Sequence, residues 1–468
     1  MLILNFFTRL KTVFSCSPGF ILCLMMVATL AGALINPGWV GAATAAPNVA
    51  FTTVNTPVTI NVIGNLDIVF ANWSSQVNRL CVGDGTGGFT CSGISADADS
   101  TGDVALGDVN GDGYLDAVFA NGGASNQVCL GNGTGGFTCS DISSGTNNGR
   151  GLALGDVNHD GRLDVVFANT SERNRVCLGD GTGGFTCSDV STETNSSDAV
   201  ALGDMNSDGR LDAVFANYNE RNRVCLGDGT GGFTCSDVST DTNHTTGTAL
   251  GDVNNDGNVD AVFANLSEVS RLCLGNGSGG FACSDVGAVS FAGDTALGDV
   301  NNDGNLDAVF AVPGQRNSVY LGNGAGGFTC SKVSAYTNAS SGVALGDMNN
   351  DGNLDAAFAN DGDPNRVCLG DGSGGFTCSD ISTDMNSSMG VALGNIVNTL
   401  AIDTAPTHGT AVVNGDDIIY TPTAGFIGVD TFTYTLDGGA PTTVTVNVTN
   451  AFSSGSGSGG CFSSDLFN

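Results

Sequence analysis

The sequence predicts an all-β chain, a seven-bladed β-propeller of four-stranded blades that is inserted in, or flanked by, a small β-sandwich. Three observations predict this fold. One aspartate-rich string recurs at steps of 48, 48, 48, 47 and 48 residues. The residues of each step divide into four short apolar segments separated by glycine-rich turns, with no helical period. Four-stranded units repeated in this way are typical of propellers, which have four to eight blades, whereas a right-handed β-helix has a much shorter repeat.

Two incomplete units at the ends of the repeat region predict how the ring closes. Residues 390–395 make a first strand without the loop that follows it in the other units. Residues 64–72 make a second strand without a first strand before it. A blade shared by both segments removes the open sheet edge. We therefore expect residues 391–393 to lie beside residues 66–70.

Charge and composition exclude several classes of function. The chain has 14 basic and 47 acidic residues, a net charge of −33, and such a surface repels the phosphates of nucleic acids. Three histidines leave little room for histidine catalysis or zinc clusters. A hydrophobic content of 41% is enough for a packed core.

The first 45 residues are typical of a secretory signal peptide. Arg9 and Lys11 precede an apolar run at 19–34, and Ala43-Thr44-Ala45 provides a cleavage site. An uncleaved membrane anchor is the alternative, although the run is short for a spanning helix. We expect a secreted or cell-surface protein, with no direct membrane insertion after the signal is removed.

The recurring string D-x-N-x-D-G-x-x-D has the chemistry of a calcium loop. Oxygen ligands at positions 1, 3, 5 and 9 surround one point, glycine at position 6 permits a sharp turn, and position 7 offers a backbone carbonyl. Six copies in register predict six Ca²⁺ sites. The side-chain ligand sets are Asp108, Asn110, Asp112 and Asp116; Asp156, Asn158, Asp160 and Asp164; Asp204, Asn206, Asp208 and Asp212; Asp252, Asn254, Asp256 and Asp260; Asp299, Asn301, Asp303 and Asp307; and Asp347, Asn349, Asp351 and Asp355. The carbonyls come from Tyr114, Arg162, Arg210, Asn258, Asn305 and Asn353.

The alternative is that these Asx and Gly residues only build turns. Turn formation does not explain why three carboxylates lie together in each loop, and a cation that neutralises them does. The shared blade keeps only Asp67 of the pattern and is expected to bind no calcium.

A second string, C-(L/V)-G-(D/N)-G-x-G-G-F-(T/A)-C, predicts hairpins closed by disulfides. Its two cysteines lie directly opposite each other across the turn, close enough for a bridge. The expected pairs are Cys81 with Cys91, Cys129 with Cys139, Cys177 with Cys187, Cys225 with Cys235, Cys273 with Cys283, and Cys368 with Cys378. Cys330 faces Tyr320 and is expected to be free, as is Cys461. The G-x-G-x-x-G within the string lacks the βαβ context of a dinucleotide site.

These two strings together resemble the FG-GAP/VCBS repeats of integrin alpha-subunit propellers and of many bacterial surface proteins. The resemblance covers residues 66–395 and implies a calcium in the loop between the first two strands of a blade. The cysteine pairs and the near-identity of the repeats depart from the integrin pattern.

The flanking segments 46–65 and 396–449 resemble, in order, the start and the remainder of one bacterial cadherin-like (Ig-like) domain. This implies that the propeller is inserted into a loop of that domain, and two unrelated β segments are the alternative. Residues 450–468 are a Ser/Gly-rich tail, and the glycines before Cys461 leave a C-terminal sorting signal as an open interpretation.

The sequence favours a calcium-binding adhesion or ligand-binding module rather than an enzyme. A catalytic site needs an asymmetric set of groups in one place, and the sequence reveals none, since His159 and His244 lie in repeat loops and His408 in the flanking domain. The expected partner is an extracellular protein or glycan. The alternatives are a secreted carbohydrate-active enzyme and a lectin on a propeller scaffold.

Overall fold

The computed structural model describes residues 48–54, 56–61, 65–95, 98–142, 147–333, 337–397, 400–414, 417–436 and 441–449. The predicted signal segment 1–45, the tail 450–468 and Cys461 lie outside these residues. Every regular element of the described residues is a β-strand, which confirms the all-β fold class. No helix in this part of the chain is long and apolar enough to cross a membrane.

After the first five strands, the strands from β6 to β29 follow one another in groups of four. The first five are β1 (Asn48–Thr53), β2 (Val58–Asn61), β3 (Asp67–Asn72), β4 (Arg79–Gly83) and β5 (Phe89–Gly93). The next groups are β6 (Thr101–Gly107), β7 (Asp116–Ala124), β8 (Gln127–Gly131) and β9 (Phe137–Asp141); β10 (Asn147–Gly155), β11 (Asp164–Asn169), β12 (Arg175–Gly179) and β13 (Phe185–Asp189); and β14 (Ser197–Gly203), β15 (Asp212–Asn217), β16 (Arg223–Gly227) and β17 (Phe233–Asp237).

The later strands continue the pattern. They are β18 (Thr245–Gly251), β19 (Asp260–Asn265), β20 (Val269–Gly275) and β21 (Phe281–Ser290); β22 (Asp294–Gly298), β23 (Asp307–Ala311), β24 (Ser318–Gly322) and β25 (Phe328–Lys332); and β26 (Ser340–Gly346), β27 (Asp355–Asn360), β28 (Arg366–Gly370) and β29 (Phe376–Asp380). The last are β30 (Ser388–Gly394), β31 (Leu400–Thr404), β32 (Gly409–Asn414), β33 (Asp417–Pro422), β34 (Gly428–Leu436) and β35 (Thr442–Thr449).

Each group from β6 to β29 forms an antiparallel four-stranded unit, and the units of β6–β9 and β10–β13 join through β7 and β10 into one sheet. The first strand of each unit contacts the first strand of the next in the order β6, β10, β14, β18, β22, β26, β30, and β30 contacts β6 in turn. This cyclic order is that of a propeller, with these strands innermost.

The second strands are apolar because each sheet lies between two others. The second strand β11 is buried along its whole length, and Val165 and Phe167 on it pack against Val118 and Val128 of the preceding unit. The same stacking recurs around the ring. The apolar content of these strands is therefore explained by burial on both faces.

The shared sheet has the order β30-β3-β4-β5. Ile68 lies opposite Leu393 and Phe70 opposite Val391, which confirms the predicted pairing of these two segments. The sheet joins residues that are more than 300 positions apart in the sequence.

The flanking segments form two sheets, with the strand orders β1-β35-β34-β31 and β2-β33-β32. Strands that precede the repeats thus pair with strands that follow them, β1 in parallel with β35 and β2 antiparallel to β33. The core of this part contains Tyr420, Phe432 and Val444.

All six predicted disulfides are present, each between the third and fourth strands of a unit. They join Cys81 to Cys91, Cys129 to Cys139, Cys177 to Cys187, Cys225 to Cys235, Cys273 to Cys283, and Cys368 to Cys378. The prediction of the pairs is therefore confirmed.

The unit of β22–β25 carries no such bridge. Cys330 is the one free cysteine of the described residues and is exposed. It lies opposite Tyr320 in the same register as the paired cysteines. The Tyr320 ring is buried and packs against Phe310, with ring centroids 5.6 Å apart.

Replacing Tyr320 with cysteine is expected to create a seventh bridge, to Cys330, because the strand register already matches. The bridge contributes about 3 kcal/mol by the chain-entropy model, while the lost ring costs a similar amount. Tyr320→Ser is the matched control, since it removes the ring without forming a bridge. Thiol titration of the unfolded, unreduced mature protein is expected to find two free thiols in the parent, Cys330 and Cys461, and one in Tyr320→Cys. A count of three free thiols in Tyr320→Cys would contradict the register.

Candidate functional site

The six aspartate loops connect the first and second strands of their units. In the loop between β10 and β11, Asp156 accepts hydrogen bonds from the amides of Asp160 (3.0 Å) and Gly161 (2.8 Å). Asn158 Oδ1 accepts from the same Asp160 amide (2.9 Å), and its Nδ2 donates to Asp160 Oδ2 (3.2 Å). The side chains at positions 1 and 3 therefore accept the same amide, and the side chain at position 3 also contacts that of position 5.

The predicted ligands make the same contacts in the other five loops. The asparagine at position 3 pairs with the aspartate at position 5 through these two bonds, in the pairs Asn110 with Asp112, Asn206 with Asp208, Asn254 with Asp256, Asn301 with Asp303, and Asn349 with Asp351. The aspartates at position 1 accept the amides of positions 5 and 6, and they are Asp108, Asp204, Asp252, Asp299 and Asp347.

The aspartate at position 9 has a structural role that the sequence did not reveal. Asp164 is fully buried and accepts one amide from its own loop, that of Val157 (3.0 Å), and one from the end of the third strand, that of Gly179 (2.8 Å). Its counterparts do the same, and they are Asp116, Asp212, Asp260, Asp307 and Asp355. This carboxylate fixes the loop to the sheet.

The negative charges of a loop act on one another. Burial raises the pKa of Asp355 to about 6, against hydrogen bonds from two amides that lower it, and the charges of Asp351 and Asp347 add to the rise. The pKa of every other position-9 aspartate is raised, again by burial first and with a neighbouring carboxylate of the loop adding to the rise. A cation in the loop would relieve this repulsion.

The donor set of each loop fits a hard cation, because every side-chain donor is an oxygen and a carboxylate oxygen has a second lone pair beside the amide bond it accepts. Within the described residues, however, no group of three or more acidic, histidine or cysteine side chains has the spacing of a metal site. In each loop the carboxylates face their own amides instead. The six Ca²⁺ sites stay predictions.

The residues at position 7 use their amides in this structure. The Arg162 amide donates to Asp160 (3.0 Å), and the same bond to position 5 is made by Tyr114, Arg210, Asn258, Asn305 and Asn353. The bond fixes the end of the loop, and the role of the position-7 carbonyls as ligands stays a prediction.

Side chains at position 4 connect successive loops. His159 has a φ of 59°, and its Nε2 lies 3.0 Å from the Gly209 carbonyl oxygen of the next loop. Asparagines make side-chain contacts in later units: Asn255–Asn305 (3.0 Å) and Asn302–Asn353 (2.9 Å) connect successive loops, and Asn350–Asn65 (3.3 Å) connects the last loop to the shared blade.

A cavity of about 570 Å³ lies on the axis of the ring, at the end of the inner strands opposite to the aspartate loops. Residues near the start of all seven inner strands line it, including the charged Asp103, Arg150, Asp198 and Asp294. Tyr218 and His244, from connections between strands, complete the wall. Because every inner strand contributes, the cavity exists only in the closed ring.

Two carboxylates of the cavity connect neighbouring inner strands. Asp103 on β6 accepts the Leu152 amide of β10 (3.2 Å), and Asp294 on β22 accepts the Val343 amide of β26 (3.1 Å). Each is partly open to the cavity and surrounded by protein on its other sides. Burial raises the pKa of both to about 7, and the Asp103 charge contributes to the rise at Asp294.

The other charged pair of the cavity is Arg150 and Asp198. Burial raises the pKa of Asp198 to about 6, and the positive charge of Arg150 opposes that rise. The Arg150 guanidinium carbon lies 4.4 Å from the centroid of the Trp73 ring, a cation–π geometry.

The aromatic part of the wall is a contact between Tyr218 and His244, whose ring centroids are 3.8 Å apart. Burial lowers the pKa of His244, which favours its neutral form. The sequence alone did not indicate this asymmetric set of groups. It placed His244 only in a repeat loop, and it did not single out Asp198, which lies on β14.

One signal in the sequence marks the cavity. The repeats are nearly identical, yet the residue six positions before the first aspartate of each loop changes from unit to unit. It is Gly102, Arg150, Asp198, Thr246, Gly293, Ser341 and, before Asn395 of the shared blade, Met389. The next position also varies, with Asp103 and Asp294 in two units and glycine or alanine in the others. Both positions contribute to the cavity wall, and variation there indicates a function that the near-identical positions of the loops do not share.

Comparison with known proteins agrees with the repeat structure. A family model of FG-GAP-like repeats matches residues 108–167, 156–215, 204–263 and 299–358, and a bacterial Ig domain model matches 355–449. The structure places 355–394 in β27 to β30 of the repeat region, so the second match begins before the strands of the flanking sheets. No curated protein matches the chain.

Two solved structures are similar in part. Both are crystals of BBS1N in complex with ARL6DN, one soaked with mercury and one with lead, and both are 11% identical to this chain. The mercury-soaked structure has a TM-score of 0.41 and the match covers 72% of this chain and 95% of that one. For the lead-soaked structure the TM-score is 0.40 and the shares are 71% and 94%.

Proposed function

We propose that this chain, an FG-GAP repeat protein with a bacterial Ig domain, is a secreted or cell-surface module that binds an extracellular protein or glycan without turning it over. The observation that carries the proposal is the division of the ring into two ends. One end carries six equivalent aspartate loops, and the other carries the connections and inner-strand residues in which the repeats differ. Selectivity for a partner belongs to the end that varies.

Calcium in this proposal is structural. The loops are near-identical, and each would hold one ion through the carboxylates at positions 1, 5 and 9, the asparagine oxygen at position 3 and the carbonyl at position 7. The ion would neutralise charges that otherwise repel one another. Binding of the partner is then sensitive to chelators because the loops support the inner strands.

The six disulfides support an extracellular location. Hairpin disulfides persist in oxidising compartments and are rare in the cytosol. The net charge of −33 disfavours anionic membranes and nucleic acids as partners and favours neutral or divalent-bridged ligands.

The test is a binding screen of the mature protein on arrays of glycans and matrix proteins in about 2 mM calcium, a concentration above the Kd of extracellular calcium modules, with parallel analysis for reaction products. Saturable binding that chelation abolishes, with no product, supports the module. Absence of binding to every class of ligand argues against it.

The cavity favours one competing function, a carbohydrate-active enzyme, because it holds two carboxyl groups whose pKa of about 7 suits acid–base catalysis. Turnover of any polysaccharide that Asp103→Asn or Asp294→Asn abolishes would establish the enzyme and overturn the module.

A further inference from the structure

We infer that the axial cavity is a binding site for an alkylammonium group, held between the carboxylates of Asp103 and Asp294. The inference concerns the cavity alone and holds whether or not the ring acts as an adhesion module. The ammonium belongs either to a free aliphatic polyamine or to a lysine side chain of a partner protein, and the experiment below separates these sources.

The positions of the two carboxylates place a ligand on the ring axis. Asp103 is on β6 and Asp294 on β22, and in the cyclic order of inner strands two strands separate them on one side and three on the other. In a ring of seven strands no two positions are more nearly opposite. A cation on the axis therefore has a carboxylate on each side.

The charges of the cavity do not cancel without a ligand. Arg150 and Asp198 offset each other, and His244 is held towards its neutral form by burial. Asp103 and Asp294 then remain, and the residues that line the cavity include no second arginine and no lysine. A buried anion without a counter-charge is costly, and a bound cation removes that cost.

The wall is shaped around these carboxylates. Gly390 stands beside Asp103, and a Cβ added to it would lie 2.5 Å from an Asp103 carboxylate oxygen. Gly247 stands beside Asp294, where an added Cβ would again lie 2.5 Å from a carboxylate oxygen. Any larger residue at either position would displace the carboxylate. Each aspartate therefore requires a glycine beside it on the neighbouring inner strand.

The remaining groups fit an ammonium on an alkyl chain better than a metal ion. An ammonium donates three hydrogen bonds in different directions and is satisfied by acceptors from several sides. Besides the carboxylates, the hydroxyl of Thr246 keeps lone pairs to accept while donating to the Ala292 carbonyl oxygen (3.1 Å). Leu266, Met389 and the Tyr218 ring offer an apolar surface to methylene groups.

The experiment is calorimetric titration of the full mature chain with spermidine at about pH 8, where both carboxylates are mostly ionised, in about 5 mM calcium so that the aspartate loops do not compete. The expected result is one saturable site per chain. Asp103→Asn with Asp294→Asn is expected to weaken binding at least about tenfold, because the amides keep an acceptor for Leu152 and Val343 but lose the charge.

The matched control is Asp180→Asn with Asp228→Asn. It removes two charges by the same change, and the hairpin turn tolerates asparagine, since Asn132 and Asn276 accept the equivalent amide bonds elsewhere. Spermidine affinity is expected to be unchanged in this variant. Asp103→Gly, which installs the residue found at the equivalent position of β10, gives a second variant with an intact backbone if the asparagine variant folds poorly.

A second arm titrates acetyl-Gly-Lys-Gly-amide and its Nε-acetylated form. Binding of spermidine alone identifies a free polyamine as the ligand, and binding of the lysine peptide but not of its acetylated form identifies a lysine side chain. No saturable binding of either probe, or equal spermidine affinity in the parent and the variant of Asp103 and Asp294, overturns the inference and leaves the two carboxylates as links between inner strands.

Discussion

Chelation of calcium is expected to lower the melting temperature of the mature protein strongly. Each loop holds three carboxylates, so the six loops carry 18 negative charges, of which six Ca²⁺ ions neutralise 12. Extracellular calcium modules bind with a Kd of about 10⁻⁴ to 10⁻³ M. At about 2 mM calcium such a site stabilises the fold by about 0.6 to 2 kcal/mol, and six sites by about 4 to 11 kcal/mol.

The measurement is differential scanning calorimetry in calcium and in EDTA, at equal ionic strength adjusted with sodium chloride. The salt control separates specific binding from screening, because monovalent salt also weakens repulsion between exposed carboxylates. An unchanged melting curve in EDTA would show that calcium does not stabilise the fold. The loops would then be turns held by their own hydrogen bonds.

A single loop is tested with Asp160→Ala. The change removes the carboxylate at position 5, which accepts the Arg162 amide and the Asn158 side chain. We expect faster hydrogen exchange in β10 to β13 and little change in units on the far side of the ring. Asp180→Asn, in the hairpin of the same unit, is the control because it alters a charge outside the calcium loop. Equal exchange in both variants would argue against a role of the loop in holding its unit.

The repeats made most of the fold predictable. The period located the strands, and the residue midway between two cysteines located the hairpin, so that the register of Cys177 and Cys187 followed without tertiary information. The incomplete units at 64–72 and 390–395 predicted the shared sheet for the same reason, since each half lacks the part that the other supplies.

The site was less predictable because its chemistry arises from several repeats at once. Asp103 and Asp294 are 191 positions apart, and they line the same cavity only when the ring is closed. Within one repeat each looks like an ordinary polar residue at a strand start. The buried role of Asp164 was also missed, because a carboxylate that accepts two amides and a carboxylate that binds a cation occupy the same place in the motif.

Replacing Asp67 with alanine is expected to open the ring at the shared sheet. Asp67 is 1% exposed, and it accepts hydrogen bonds from the amides of Gly83 (2.9 Å), Ile396 (2.9 Å) and Val397 (2.7 Å). Its place corresponds to position 9 of the complete loops, but here the bonds join the beginning of the repeat region to its end. Alanine leaves buried amides without an acceptor, at a cost of about 1–3 kcal/mol each.

In Asp67→Ala we expect the shared sheet to open and reclose rapidly, while the rest of the ring stays folded. The pairing of β1 with β35 and of β2 with β33 keeps the two ends of the repeat region close after β30 has separated from β3. Re-formation of the sheet then has a small entropic cost, because the chain segment that must close is short. Hydrogen exchange in β30 and β3 is therefore expected to rise by a factor of about 100 or more, corresponding to about 3 kcal/mol, while the distant strands β14 to β17 keep their protection.

Two asparagines provide the matched comparison. Asn72 donates to the Val77 carbonyl (2.6 Å) and accepts from the Ser388 hydroxyl (2.7 Å), which crosses the closure. Asn217 makes the same bonds inside one unit, to Arg221 (2.6 Å) and from Ser197 (2.6 Å). Asn72→Ala and Asn217→Ala lose the same local hydrogen bonds. If hydrogen exchange in β30 is faster in Asn72→Ala only, the difference measures how much the bond across the shared sheet stabilises ring closure. If Asp67→Ala leaves β30 as protected as in the parent, the shared sheet is not where the ring opens.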